Sequence, residues 1–440
     1  MRFRPMWEGL GHMEIILLVV CFVFLVLLGA PVALAMIIMP TAYILLTDAA
    51  PLLTVPHQMY EGIAHFPLVA VPFFMLTGEL MNGSSVTKRI MRLSRVIVGQ
   101  MRGGLAQVNI VASMFFAGMN GSAVADTATI GTIMIPDMKR KGYTPAYAAA
   151  ITAIGSTIGG IIPPSIAMIV LASSVNLSVG ALFAGGMLPG ILIGLLLMLT
   201  AWVIAKIKDH ERGDEPFTIR AFLSAAWGAS LALSVPLILV AGIFGGWFSS
   251  VEAGAITALV ALILGTLVYR DLDLASFLGA LNRTVRMSAS VFVIIAAAGP
   301  FTWLLARLGA LEMLQGWLLG FADTPLVFAL MLLGLILLAG MIMDAAANII
   351  VLGPLLVAAC ETAGYDPVQA ALVVVVGFLL GTVTPPVGVC YFTATAIAGC
   401  RLEQSAVALV PFLAVEILVL LLMLFIAPLT LYLPALLGFL

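Results

Sequence analysis

The feature that most restricts how this chain can fold is a near-unbroken succession of apolar stretches long enough to cross a bilayer. A helix needs about 20 apolar residues for that. Such stretches lie at 14–38, 40–60, 65–82, 145–177, 181–206, 221–244, 251–269, 285–306, 367–398 and 405–432, which predicts about ten transmembrane helices. Only 9% of the 440 residues are charged and the mean hydropathy is +1.20, whereas a soluble domain carries roughly 25% charged residues. Lipid is therefore the solvent, and in lipid the backbone must satisfy its own N–H and C=O groups. An all-α polytopic membrane protein follows. The net charge of −2 gives no basis for a nucleic-acid partner. Cys21, Cys360, Cys390 and Cys400 show no C-x-x-C spacing and read as small buried hydrophobes. His12, His57, His65 and His210 are scattered, without metal-ligand spacing.

Charge sets the orientation. With the N-terminus outside, 16 of the 19 basic residues fall in cytoplasmic segments, leaving only Arg2, Arg4 and Arg307. The reverse orientation would export them, against the positive-inside rule. Both termini are thus expected in the periplasm, with the chain in a bacterial inner membrane. This requires two further apolar stretches, 105–136 and 322–360, to enter and leave on one side, and small and polar residues interrupt both. Residues 86–102 read as an amphipathic helix along the cytoplasmic interface. Lys88, Arg92, Arg95 and Arg102 share one face, toward the headgroups, and Ile90, Leu93, Ile97 and Met101 lie on another. Arg2 and Arg4, an apolar run and Ala33-Leu34-Ala35 imitate a signal peptide. The run continues to Leu46, which suits a retained span, and Met13 is an alternative start.

The second half echoes the first. Asp126 and Pro136 precede Asp344 and Pro354 by 218 positions. After an expected four-residue insertion, Gly142-Tyr143, Pro145, Pro163-Pro164 and Pro189 precede Gly364-Tyr365, Pro367, Pro385-Pro386 and Pro411 by 222. Each half holds five crossings and one interrupted hairpin. An odd number of crossings inverts the second copy, and inverted repeats with broken helices mark alternating-access transporters.

The first hairpin carries Gly118-Met119-Asn120-Gly121-Ser122 at its tip and Asp126-Thr127 beyond it. Arms of about 16 residues reach only about 24 Å, too short to cross and return, so the segment is expected to be re-entrant. Backbone exposed at membrane depth is tolerated only against protein or a water-filled cavity. Its partner runs from Gly155 to Ser165 and sets Thr157, Gly159, Gly160, Pro163 and Pro164 inside an apolar span. Proline removes a donor and clashes with the preceding turn, so the helix breaks and frees carbonyls. Carbonyl and hydroxyl oxygens suit a small dehydrated cation such as sodium, and the N-terminus of the following half-helix suits an anion. The second copy has Met341 to Asn348 at the tip and Gly381 to Gly388 at the break. Asp126 and Asp344 are acids inside apolar hairpins, a placement that defaults to function. They either tune a cation site or cap the hairpin's own N–H groups. Arg307, alone near the outer side, either pairs with a substrate carboxylate in bidentate fashion or snorkels to headgroups.

Taken in order, five segments resemble the large membrane subunit of tripartite ATP-independent periplasmic (TRAP) transporters. They are the Gly121-Ser122-Ala123 hairpin, Pro136 to Gly142-Tyr143, Gly155 to Ser165, Gly340 to Asp344 and Gly381 to Gly388, in a likeness reaching from about Met13 to Pro434. The resemblance implies an elevator fold of two inverted repeats, in which two hairpins and two broken helices slide against a scaffold. Here that means 105–180 and 322–400 against 1–104 and 181–321, with 401–440 as a C-terminal helix. It implies a transporter and no enzyme: sodium-coupled import of small organic acid anions such as C4-dicarboxylates, sialic acids, keto acids or sugar acids. It also implies a periplasmic substrate-binding protein and a small four-helix membrane subunit, the latter expected as a separate polypeptide. The sodium sites of the family fall here on Asn120, Ser122, Gly155, Thr157, Gly160 and Pro163, and on Asp344, Asn348, Gly381, Thr382, Thr384 and Pro385. Substrate is expected beside Ser122, Pro164, Thr382, Pro386 and Arg307. A stand-alone sodium/carboxylate symporter of a related elevator fold fits the repeat and the breaks equally. An intramembrane aspartic protease fits poorly, because Met341-Ile342-Met343-Asp344 lacks a Gly-x-Gly-Asp setting. A passive channel leaves the repeat unexplained.

Overall fold

The computed structural model describes residues 7–82, 85–209, 217–320 and 324–440. They are helical almost throughout. The first half comprises α1 (Trp7–Leu27), α2 (Val32–Thr47), α3 (Thr54–Ile63), α4 (Ala70–Asn82), α5 (Val86–Val98), α6 (Gly104–Asn120), α7 (Ala123–Arg140), α8 (Pro145–Thr157), α9 (Ile166–Val175) and α10 (Val179–Ile207). The second comprises α11 (Ile219–Phe244), α12 (Ser250–Ile263), α13 (Leu274–Arg307), α14 (Ala310–Leu319), α15 (Pro325–Ile342), α16 (Ala345–Val351), α17 (Gly353–Thr362), α18 (Pro367–Gly381), α19 (Val389–Ala398), α20 (Leu402–Phe425) and α21 (Pro428–Leu436).

Among the described residues, six helices are long and apolar enough to cross a membrane, or up to eight if each bent pair counts as one span. The bent pairs are α3 with α4 (65°) and α16 with α17 (54°). Shorter apolar helices complete the set, including α2, α6, α9, α18 and α19. The expected spans at 14–38 and 40–60 are divided differently. Gly29 (φ 89°) and Pro31 end α1 and start α2, and a further turn separates α2 from α3. Continuous apolarity had hidden that punctuation, although Gly and Pro are the signals that interrupt helices.

The register of the repeat is simpler than the landmarks suggested. A single offset of 222 superposes α1 on α11, α2 on α12, α3–α4 on α13, α5 on α14, and α6 through α10 on α15 through α20. No four-residue insertion is present. Gly142-Tyr143 and Gly364-Tyr365 do one job in both copies. The N–H of Tyr143 returns to Met138 O (3.1 Å) and that of Tyr365 to Cys360 O (3.0 Å). The glycines before them take φ of 84° and 92°, the left-handed closure that ends a helix. Thr144 and Asp366 then cap α8 and α18, accepting from the N–H groups of Tyr147 and Val368, with Pro145 and Pro367 at the first turn.

The helices pack in two groups. α13 lies against α2, α3 and α4, α12 against α4, and α11 against α5. At the α3–α13 crossing, a Cβ on Gly299 would collide with the Gln58 carbonyl, so the two backbones touch. This is how helices associate where lipid provides no hydrophobic drive. The other group contains α6–α9 and α15–α19. α10, assigned from sequence to the scaffold, packs mainly on α6, α18, α20 and α21, and α20 packs on α8, α10 and α18. The expected amphipathic helix is α5; it buries Val86, Ile90, Met91 and Leu93 and leaves Lys88 and Arg92 exposed.

Candidate functional site

Each hairpin tip meets the break of its own repeat. In the first, α6 ends at Gly121 (φ 61°), whose carbonyl accepts from the N–H of Ile166 at 3.3 Å. A Cβ on Gly121 would lie 2.8 Å from Pro164 O, and one on Gly118 comes within 3.8 Å of Pro163 O. The small residues therefore bring the tip onto the carbonyls of the two prolines at the break. Ser122 caps α7, accepting from Ala125 N–H at 3.5 Å. Ser165 caps α9 and donates to Gly160 O.

Behind the tip, α6, α7 and α8 are joined by buried hydroxyls and an amide. Asn109 donates to Thr152 Oγ1 (2.7 Å), and Thr127 Oγ1 lies 2.6 Å from Ser156 Oγ. Asp126 is fully buried against Gly159, where any Cβ would strike its carboxylate. Thr157 Oγ1 lies 2.7 Å from Ile154 O and 2.5 Å from Glu416 Oε1 of α20.

In the second repeat Asp344 caps α16, accepting from Ala346 N–H at 3.0 Å. It stands where Ser122 stands in the first. The sequence comparison had paired Asp344 with Asp126, but Asp126 faces the position of Asn348, one turn inside the helix. A cap needs only a short side-chain acceptor, so Ser and Asp fill equivalent places and identical letters do not. Asn348 is fully buried, and its Nδ2 lies within 3.0–3.3 Å of the carbonyls of Ala339, Met343 and Asp344, tying the turn together. Among the described residues its Oδ1 has no hydrogen-bond partner. At the break, Thr382 and Thr384 donate to Leu379 O (2.6 Å) and Leu380 O (2.8 Å). A Cβ on Gly388 would sit 2.7 Å from Thr382 O and 3.0 Å from Thr384 O, so these oxygens converge on one spot.

The two copies interlock. α19 packs on α7 and α8, while α9 packs on α16, α17 and α18. Lys139, at the end of α7, donates to Ala398 O at the end of α19 (2.9 Å). The buried Cys390 thiol lies 3.4 Å from Thr382 Oγ1 and beside the hydroxyls of Thr127 and Ser156, with Asp344 within electrostatic range. Cys390 thus stands between Thr382 and first-repeat hydroxyls that sequence reading had not singled out. Glu416 was also missed, although an acid inside the 405–432 apolar run is a sufficient signal.

Gly155, Gly160, Pro163, Pro164, Ser122, Asp344, Asn348, Gly381, Thr382, Thr384, Pro385 and Pro386 all lie at the tips and breaks. The backbone of Asn120 is there too, its side chain lying outside the described residues. Arg307 is elsewhere. It donates to Ala49 O (2.9 Å), with its guanidinium 5.7 Å from the Trp303 ring centroid. Trp303 lines a cavity of about 430 Å³ between α3 and α13 on one side and α9, α16 and α17 on the other, with Glu61, His65, Ser173 and Ser174. Among the described residues no group of three or more His, Cys, Asp or Glu side chains converges. The oxygens at the tips and breaks are carbonyls and hydroxyls, with the Asp344 carboxylate at the second tip and that of Asp126 against the first break, a hard donor set.

Comparison with known proteins agrees with this architecture. The family model of the DctM component of the tripartite ATP-independent periplasmic transporter matches residues 19–429. The sialic acid TRAP transporter large permease protein SiaM of Vibrio cholerae is 34% identical over 93% of this chain and 95% of its own length. The C4-dicarboxylate TRAP transporter large permease protein DctM of Pseudomonas aeruginosa is 33% identical over 87% and 89%. The isethionate TRAP transporter permease protein DctMQ of Oleidesulfovibrio alaskensis is 33% identical over 94% of this chain, which spans only 64% of that longer protein. Among solved structures, the YdaH transporter of Alcanivorax borkumensis superposes with a TM-score of 0.63 at 14% identity, covering 85% of this chain and 87% of its own. That likeness concerns the fold alone.

Proposed function

This chain belongs to the DctM component family of tripartite ATP-independent periplasmic transporters, and on that premise we propose that it imports small organic acid anions by sodium symport. It is a multi-pass membrane permease subunit and not an enzyme. The observation that carries the sodium reading is the doubled pairing of tip and break in one register, each offering hydroxyl and carbonyl oxygens. A cation held at Asp344, Thr382 and Thr384 would offset the carboxylate's charge, and its mirror at Ser122 and Pro163–Pro164 would use neutral oxygens only. Substrate carboxylates belong beside these cations, near Pro386 and the Ser122 cap. Similar permeases named for sialic acid and C4-dicarboxylate delimit the class of cargo. In this reading α6–α10 and α15–α20 move as one unit against α2–α5 and α11–α14, in an elevator. Both termini lie in the periplasm of the inner membrane.

A separate small membrane subunit and a periplasmic binding protein complete the machine; the DctMQ relative, much longer than this chain, is consistent with a fused partner there. The test is reconstitution into liposomes with each component omitted in turn. Uptake is expected only with an inward sodium gradient, the small subunit and loaded binding protein together. Asp344→Ala, or Thr382→Val with Thr384→Val, is expected to weaken sodium activation more than protein abundance. Full uptake on a proton gradient alone would overturn the coupling. Robust uptake by the lone chain would favour a stand-alone symporter.

A further inference from the structure

On the side where basic residues gather, a cavity of about 550 Å³ opens between α5, α7 and α11. Its walls are Lys88, Met91, Arg92, Arg95 and Val96 of α5, Ile133 of α7 and Ala221 of α11. The charges of α5 are not equivalent. Arg89 donates to Gly228 O at 3.2 Å and lies 4.3 Å from the Tyr269 ring centroid, which anchors α5 to α11. Arg95 Nη2 is 2.5 Å from Asp137 Oδ2, a bridge from α5 to the end of α7. Lys88 and Arg92 are exposed, and among the described residues they make no hydrogen bond or ion pair. Positions 88, 92 and 95 share one helical face.

We propose that this cavity binds the phosphate headgroup of an anionic membrane phospholipid, held by Lys88 and Arg92, and that the bound phosphate competes with Asp137 for Arg95. Three cationic side chains along one wall match a phosphate in charge. Met91, Val96, Ile133 and Ala221 give the cavity apolar walls for the glycerol and the first acyl carbons, for which a free anion has no use. Asp137 also pairs with Arg140, so it keeps a partner when Arg95 turns to the phosphate. The exchange therefore strands no charge. On the proposed elevator reading its consequence is mechanical: α5 belongs to the unit that stays and α7 to the one that moves, and the lipid loosens the ion pair between them.

The test uses the full-length purified chain and native mass spectrometry of lipid adducts. Phosphatidylglycerol is expected to be retained and phosphatidylcholine not. Lys88→Gln with Arg92→Gln is expected to weaken phosphatidylglycerol binding about thirtyfold, the effect of two basic residues at an anionic surface. Arg270→Gln with Arg286→Gln, a neutralisation of equal size elsewhere, is expected to leave it unchanged. Asp137→Asn frees Arg95 and is expected to tighten binding, whereas Asp209→Asn is not. Equal retention in the Lys88/Arg92 variant, or equal loss in the Arg270/Arg286 variant, would overturn the site. Displacement of the lipid by millimolar inorganic phosphate would assign the cavity to a free anion and overturn the lipid assignment.

Discussion

The two tip-and-break pairs share a backbone plan and differ in how they are held. In the first, one backbone bond (Ile166 N–H to Gly121 O) seats the tip on the break, and side chains tie the surrounding helices: Asn109 to Thr152, Thr127 to Ser156, Thr157 to Glu416. In the second, close backbone approach and one side chain do most of the joining. Gly340 and Gly381 approach so closely that a Cβ on Gly381 would lie 2.5 Å from the Gly340 Cα, and the turn is closed by carbonyls gathered on Asn348. The surroundings differ too. Pro163 and Pro164 are buried beneath the first tip, whereas Pro386, Val387 and Phe392 are exposed. α7 runs unbroken through Pro136, but its counterpart bends by 54° between α16 and α17. Topology is thus what the repeat conserves within this chain, and side-chain chemistry is free to diverge upon it. A side-chain join can be weakened one bond at a time; a backbone contact cannot yield without moving a helix.

That difference can be broken by substitution. The largest effect is expected at Gly381→Val, where the new atoms meet backbone; overpacking of this kind costs about 3 kcal/mol, and thermal unfolding in detergent is expected to show it. Gly159→Ala, the mirror position, meets the Asp126 side chain and no backbone among its nearest neighbours, and is expected to cost less than half as much. Equal losses would show that the first tip is as rigid as the second. Next is Asn348→Ala, which leaves carbonyls of the second turn without their donor at a cost of about 2 kcal/mol. Thr127→Val removes one of several hydroxyl links in the first repeat and is expected to cost about 1 kcal/mol. If Thr127→Val proves the more damaging of the two, the side-chain joins are the stronger and the comparison reverses.

Much of this plan was legible in the residues. Ten apolar runs, two prolines at matching breaks and the Gly-Tyr helix ends give the all-helical fold and its duplication, because each reports a backbone event that only a few residue types permit. The hairpin pairing was not legible, because the cap position tolerates Ser in one copy and Asp in the other, so matching like letters put Asp126 opposite Asp344. The α1–α2 boundary was hidden for a related reason: a bilayer makes loops and helices alike apolar. Thr127 and Ser156 could not be nominated, since their partnership joins α7 to α8 and reaches Cys390 of the other half only through the fold.

The smallest expected effect sharpens the contrast most. Glu416 is 1% exposed, and its Oε1 reaches Thr157 just before the first break, while among the described residues Oε2 has no hydrogen-bond partner. At the mirror position in α10 stands Gly194, where a Cβ would come within 2.6 Å of the Met114 sulfur, so no polar side chain occupies that place in the other copy. An acid here is therefore either a tether peculiar to the first repeat or a charge that the proposed first cation site would use. Gln keeps the shape and can still hydrogen-bond Thr157, but it carries no charge. As a tether, Glu416→Gln should change unfolding by less than about 0.5 kcal/mol and leave the sodium dependence of uptake as it was. Glu416→Ala, which removes the bond and opens a void, should destabilise by about 2 kcal/mol. A Gln variant that folds normally but needs far more sodium would make Glu416 a charged participant. The first break would then rely on a carboxylate as the proposed second site does on Asp344, only supplied from α20 instead of from the tip.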